Sequence, residues 1–506
     1  MSSAATNASA LRPSLGWGGL LVLGIANILG AGVYVMTGTA AARFAGPAVT
    51  VSFVIAGFAC LLVALCYAEL ASSMPESGSA YTYCKRTLGG GPAWSLGWLL
   101  FLEYSVAASL LAVGFSGYLG SLLADFGVQL PSALSTPLIE STQVDGRHVL
   151  SMGSGFNLVA ALAVLCAGGI AALGMSRYSV VSTLLVLLKV GVLLGFILVG
   201  AGAVDTANWQ PFVPPNEGGF TYGWEGVARA ASLLFFAFLG FETVSTAAAE
   251  TRAPQRDVPV GILGSLAACT LLYVASAFVL TGLVPFRELG VPDPIAIAVD
   301  RIGMPGFAML IKIGALAGLA SVLLANAFGH SRVCYAMACD GYLPKLFARI
   351  HPVRNSLAHG NLLLAGIAAI GAALLPISVM ADLISFGVAF MFAMVAVSLI
   401  HMRNTQPGLE RRFRVPLGGV RIRGVWFGVV PVLAIVTSFV MTLPVALDII
   451  DQARRGDWLS SILLGLYALA GLSLYLFYGR PRARRQLAQS ASPSHCKESA
   501  PHADSL

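Results

Sequence analysis

The sequence predicts an all-α membrane protein with twelve membrane-crossing helices. Three observations carry this reading. The 506 residues are 57% hydrophobic, with a mean hydropathy of +0.81. Only 10% of them are charged, against roughly 25% in soluble domains. Apolar runs of about 20 residues, the length needed to cross hydrocarbon, recur along almost the whole chain.

Taken in order, the spans run over residues 16–42, 47–73, 92–123, 155–175, 178–203, 223–250, 259–283, 305–338, 358–376, 381–402, 425–447 and 458–478. The stretches between them are too short for a sizeable soluble domain. Residues 1–14 are polar and carry no cleavable signal pattern, so they are expected to stay on the protein as a cytoplasmic segment. Residues 15–480 make up the membrane domain. From Pro481 to Leu506 the chain is polar and rich in Ser and Ala, which predicts a disordered cytoplasmic tail.

The net charge of +7 is a topology signal. With the N-terminus inside, 21 of the 30 Lys and Arg fall on the cytoplasmic side, among them Lys85, Arg86, Arg252, Arg256, Arg411, Arg412 and Arg414. This positive-inside bias places both termini in the cytoplasm of a multi-pass cell-membrane protein. Anionic lipid would strengthen the bias, and nothing in it requires nucleic acid. Most of the eight cysteines lie within spans (Cys60, Cys66, Cys166, Cys269, Cys334), without metal or disulfide spacing. They read as small packing residues. No nucleophile–base pair, metal cluster or phosphate loop stands out, so no enzyme activity, metal or cofactor is expected.

Two spans contain breakers at mid-depth. The first reads LVLGIANILGAGVYVMTG over 21–38, with Gly30-Ala31-Gly32 at its middle; the sixth reads LLFFAFLGFETVSTAAAE, with Gly240 and then Glu242. Glycine weakens a helix, and in lipid every freed backbone group must be satisfied within the protein. An unwound span is tolerated where those groups meet a cavity or ligand. The break offers N–H groups at a positive helix end and carbonyls at a negative one. A zwitterion needs both: its carboxylate suits the amides around Ala31 and Gly32, its ammonium the carbonyls of span six. Close helix packing would also use glycine. The second break, five spans after the first, favours a site between inverted repeats.

At this point longer motifs become recognisable. GIANILGAGVYVMTGTAA, CYAELASSMPESGSAYTY (66–83), GWLLFLEY (97–104), FFAFLGFETVSTAAAETRAPQRDVPVGI (235–262), SRVCYAMACDGYLP (331–344) and FRVP (413–416) resemble amino acid permeases of the amino acid–polyamine–organocation superfamily, in its cationic amino acid transporter-like branch. The resemblance covers roughly residues 15–480. It implies a LeuT-type fold: an inverted repeat of five plus five helices with two extra C-terminal helices. It implies secondary active transport of amino acids by alternating access. By position, Gly30, Ala31 and Gly32 would hold the substrate carboxylate, with Ile28 supplying a carbonyl. Phe236, Ala237 and Leu239 would offer carbonyls to the ammonium, and Phe236 and Phe241 would gate the site. Ala31 stands where relatives often have Ser or Thr, so one hydroxyl contact would be missing. Ala320 aligns with a position that sets substrate size.

Charges at membrane depth are costly and need a reason. Lys189, in TLLVLLKVGVLLGF, lies too deep in span five to reach the interface. In sodium-coupled relatives an ion sits between helices one, five and eight, and proton-coupled relatives place a lysine there. Lys189 would bond unwound carbonyls near Ile25 and Ile28 when charged and release them when neutral, coupling transport to protons. Glu103 in span three reads either as a proton relay or as a protonated carboxyl bonding a neighbouring helix. Glu242 would pair with Lys189 or bond the exposed helix ends. Glu69 and Glu250 are expected in hydrogen bonds with cytoplasmic arginines. Arg229 and Lys312 are expected to snorkel outward. The sequence therefore predicts a proton-coupled amino acid symporter, with amino acids, protons and membrane lipids as partners. An amino acid or polyamine exchanger is the alternative, and a membrane sensor a more distant one.

Overall fold

A computed structural model describes residues 15–74, 79–144, 147–173, 178–351 and 356–490. Segments 1–14 and 491–506 lie outside the described residues. Nine stretches among them are long and apolar enough to cross a membrane. The first, Trp17–Ser73, contains two segments that meet at a corner over Gly46–Ala48. Two shorter apolar helices join this set, Leu158–Leu173 and Ala358–Leu374.

The longer helices, in order, are α1 (Trp17–Ile28), α2 (Val49–Ser73), α3 (Ser79–Leu88), α4 (Gly90–Asp125), α5 (Leu158–Leu173), α6 (Tyr178–Ala201), α7 (Gly223–Phe235), α8 (Pro254–Leu283), α9 (Pro294–Arg301), α10 (Pro305–Cys339), α11 (Ala358–Leu374), α12 (Ile377–Thr405), α13 (Val429–Arg454), α14 (Leu459–Leu474) and α15 (Arg480–Ser490). Proline opens α8, α9 and α10 at a position where its missing N–H costs nothing. The core forms where α10 packs on α4, α8 on α1 and α2, α5 on α11, and α12 on α13. Large side chains such as Leu184, Leu198, Leu271 and Phe477 are exposed, as expected for surfaces that face lipid.

Two features depart from the sequence expectation, while the break placed at Gly240 in span six is present. The helix of that span begins at Gly223. It ends at Phe238, unwinds over Leu239–Glu242, and resumes in short turns from Thr243. Residues Arg480–Ser490, read from sequence as the start of a disordered tail, form α15, which carries Arg, Ala, Gln and Leu, good helix formers. Two β-hairpins also break the all-helical pattern. β1 (Ile139–Val144) pairs antiparallel with β2 (Arg147–Met152), and β3 (Gly419–Ile422) with β4 (Val425–Gly428). The second hairpin turns on Arg423-Gly424, both with positive φ (53° and 84°), as a two-residue primed turn requires.

Candidate functional site

The first span unwinds after α1, at Leu29 and Gly30, and continues as wide helical turns over Gly32–Met36. The sixth span unwinds at Leu239 and Gly240, where Gly240 has φ +119°. A Cβ at Gly240 would lie 2.5 Å from the carbonyl carbon of Asn27. Only glycine allows this backbone angle and this approach. The two breaks therefore touch, which neither sequence segment reveals alone.

A cavity opens where they meet. It contains about 600 Å³ of atom-free space, part of it open to solvent. Of the residues predicted from sequence, Ile28, Gly30, Ala31, Gly32, Phe236, Ala237, Leu239, Glu103 and Glu242 line it. Asn27, Tyr104, Ala107, Leu111, Thr243, Val322, Ala325, Asn326 and Gly329 line it as well and were not singled out. Asn27 and Asn326 did leave a trace, as amides inside otherwise apolar runs.

Two predicted residues lie elsewhere. Phe241 is fully buried against Tyr67 and Phe392, edge-on to the first, so it packs the core rather than covering the cavity. Ala320 is exposed on the outer side of α10, and the cavity wall from that helix is Val322, Ala325, Asn326 and Gly329.

Lys189 is buried on α6 and its Nζ donates to the carbonyls of Ala26 and Leu29, the latter at 3.1 Å. The carbonyls are one residue on from the expected Ile25 and Ile28, because the chain turns out of α1 at Leu29. Ile28's carbonyl is instead 2.6 Å from the Tyr273 hydroxyl, which is also 3.0 Å from the carbonyl of Ala237. Tyr273, on α8, thus touches both breaks. Sequence reasoning missed it, since a tyrosine within an apolar helix carries no local mark.

The two carboxyls behave differently. One oxygen of Glu242 accepts the Gly240 N–H at 2.7 Å, so Glu242 bonds the exposed helix end and not Lys189. Glu103 Oε2 is buried without a hydrogen-bond partner among the described residues, and so is Oδ1 of Asn326. Unpaired buried acceptors are costly, and these two belong to residues that line the cavity.

Arg229 and Lys312 end in ion pairs with carboxylates near the helix ends, not free in the interface. Arg229 is buried and donates to Asp382 and, at 2.9 Å, to Asp448, with Phe44 under its guanidinium at 4.7 Å. Lys312 is buried too and pairs with Asp125 at 2.8 Å and Asp300 at 2.9 Å. Helices closing over both side chains bring carboxylates within reach. At the opposite end, Arg403 bonds Glu69 through two nitrogens, one at 2.6 Å, and the Val415 N–H reaches the same carboxylate at 2.7 Å. The Glu250 backbone carbonyl accepts the Leu15 N–H at 3.1 Å.

The pattern of the amino acid permease family matches residues 15–466. The chain belongs to the amino acid permease family. The permease is 37% identical over 484 residues to a methylthioribose transporter of Bacillus subtilis (strain 168), covering 94% of this chain and 96% of that one. It is 37% identical over 483 residues to the branched-chain amino acid permease BcaP of the same organism, covering 95% and 96%. It is 35% identical over 390 residues to the mitochondrial cationic amino acid transporter 3 of Arabidopsis thaliana, covering 77% and 62%. The permease is a multi-pass membrane transporter, not an enzyme.

Proposed function

We propose that this permease carries amino acids into the cell by alternating access, driven by protons. The observation that carries the reading is the meeting of two unwound spans at one cavity, with the Lys189 ammonium on the carbonyls that one of them frees. An amino acid carboxylate would lie on the amides at Ala31 and Gly32, where a helix begins and its N–H groups are unpaired. Its ammonium would lie on the carbonyls of Phe236, Ala237 and Leu239. Its side chain would extend along Ala107, Leu111, Val322 and Ala325 toward Glu103 and Asn326. An acidic side chain would meet Glu103 and Glu242 there and be rejected. The named substrates of the relatives differ, so they leave neutral and cationic amino acids level.

Lys189 would act as a built-in cation. Charged, it ties α6 to the break in the first span; on losing its proton it lets go. We read the two runs within Trp17–Ser73 separately and add the two shorter apolar helices, which makes twelve spans of the LeuT type. Both termini would be cytoplasmic, and the cavity would face that side.

Uptake into proteoliposomes under an imposed pH gradient tests this. Accumulation should follow the gradient, be fastest with the uptake side acidic, and be indifferent to sodium. Lys189→Met should bind substrate but no longer concentrate it. Sodium-driven uptake without a pH gradient, or full accumulation by Lys189→Met, would overturn the reading.

A further inference from the structure

We propose that the β3–β4 hairpin and the arginines around it form a docking surface for the anionic headgroups of the adjoining membrane leaflet. The pairing register sorts its residues by face. Val420 lies opposite Phe427, and Ile422 opposite Val425. Residues facing one another share a face, as do residues two apart along a strand. All four apolar side chains therefore stand on one side of the hairpin. They are exposed by 62% (Val420), 57% (Ile422), 42% (Val425) and 38% (Phe427). Leu417, just before β3, is 71% exposed.

The other face is fastened to the protein. Arg421 lies opposite Trp426. The Trp426 N–H donates to Asn404 Oδ1 at 2.7 Å, its carbonyl accepts from Asn404 Nδ2 at 3.0 Å, and the Arg403 guanidinium sits 4.1 Å over its ring. Asn404 and Arg403 belong to the last turn of α12, and β4 runs without a linker into α13 at Val429. The hairpin is therefore held where two membrane helices end. Its apolar face cannot be left to water at no cost, and no described part of the chain covers it.

The charge decides the occupant. Residues 411–428 hold five arginines (Arg411, Arg412, Arg414, Arg421 and Arg423) and no acidic residue. Apolar side chains beside a dense positive charge, next to a tryptophan at the end of a span, are what an anionic lipid surface takes up. The apolar face would enter the edge of the hydrocarbon. The guanidinium groups would bond phosphate oxygens.

The test places a fluorophore on Ile422→Cys, in a protein whose exposed Cys166 and Cys339 and tail Cys496 are replaced by serine. It is reconstituted in phosphatidylcholine vesicles with or without phosphatidylglycerol. Nitroxide on the upper acyl chain of either lipid should quench the label, and nitroxide-phosphatidylglycerol should be preferred. Each arginine near an anionic surface should contribute about fivefold to that preference. The double change Arg421→Gln and Arg423→Gln should therefore reduce it by more than tenfold while quenching by phosphatidylcholine persists. An unquenched label in vesicles that transport normally would overturn the proposal and leave the face to another protein or a second copy. An unchanged lipid preference in the arginine variant would overturn it equally.

Discussion

Gly32 faces Ala237 where the broken spans meet. A Cβ at Gly32 would lie 2.6 Å from Ala237 Cβ and 2.9 Å from its carbonyl oxygen. Backbone cannot give way cheaply, so Gly32→Val should push the breaks apart, at a cost of about 1–3 kcal/mol. We expect the variant to reach the membrane with a lowered melting temperature and to show no ligand-induced stabilisation. Normal ligand stabilisation would remove Gly32 from the site. On α10, Ala325 lines the cavity and Ala320 does not, so the proposed site makes Ala325 the residue expected to limit substrate size. Competition with a size series of amino acids should show Ala325→Met losing the longer competitors and keeping alanine, and Ala320→Met matching the parent. Ala325 is five residues on, which at about 100° per residue is a net rotation of about 140° around the helix. That is why Ala320 is exposed while Ala325 lines the cavity. The burial of Lys189 was legible, because an ammonium between Leu188 and Val190 stands out in an apolar run. Its carbonyl partners were not, since they depend on where the backbone leaves the helix.

Buried ion pairs tie separate elements together at the end of the protein away from the hairpin. Arg229 on α7 bonds Asp382 on α12 and Asp448 on α13. Taking away one partner of a buried pair strands the other, at about 3–5 kcal/mol. Asp382→Asn should therefore lower thermal stability sharply, and more than the exposed control Arg454→Gln, whose partner Asp451 is one helical turn away. Equal effects of the two changes would mean that the network contributes little. Such networks are hidden from the sequence, which shows depth but not neighbours. Arg229 has its carboxylates 153 and 219 residues away. The hairpins were hidden for another reason. The first sits in a polar connection, where Asp145-Gly146 is a turn signal that the span reading passed over; in the second, β4 falls within what hydropathy read as the start of the span 425–447, and the helix begins only at Val429.

At the scale of the whole protein, part of the cavity wall lies toward the end that carries the hairpin β3–β4: Asn27 before the first break, Glu103 and Tyr104 in the first half of α4, Thr243 after the second break, and Asn326 and Gly329 late in α10. The Arg229 network lies toward the other end, and the orientation proposed above puts the cavity on the cytoplasmic side. Asn27→Cys should therefore react with a membrane-impermeant thiol reagent in inside-out vesicles and resist it in right-side-out ones. The opposite result would reverse the assigned orientation. The mostly helical, membrane-spanning character was legible in hydropathy alone, because lipid imposes it on sequence directly. The meeting of the two breaks was not, because it depends on contacts between residues more than 200 positions apart in the chain.

Tyr273 gives that meeting a local form. Its hydroxyl lies within reach of the Ile28 carbonyl, at 2.6 Å, and of the Ala237 carbonyl, at 3.0 Å. A hydroxyl has a single hydrogen, so the two breaks compete for it, and whichever loses is left with a carbonyl free to accept something else. A substrate ammonium arriving at Ala237 would settle the contest by taking that oxygen and leaving the hydrogen to Ile28. The tyrosine is in this sense an arbiter between two stretches of unwound backbone: its one hydrogen can satisfy only one of the two carbonyls fully, and the other waits on a second donor.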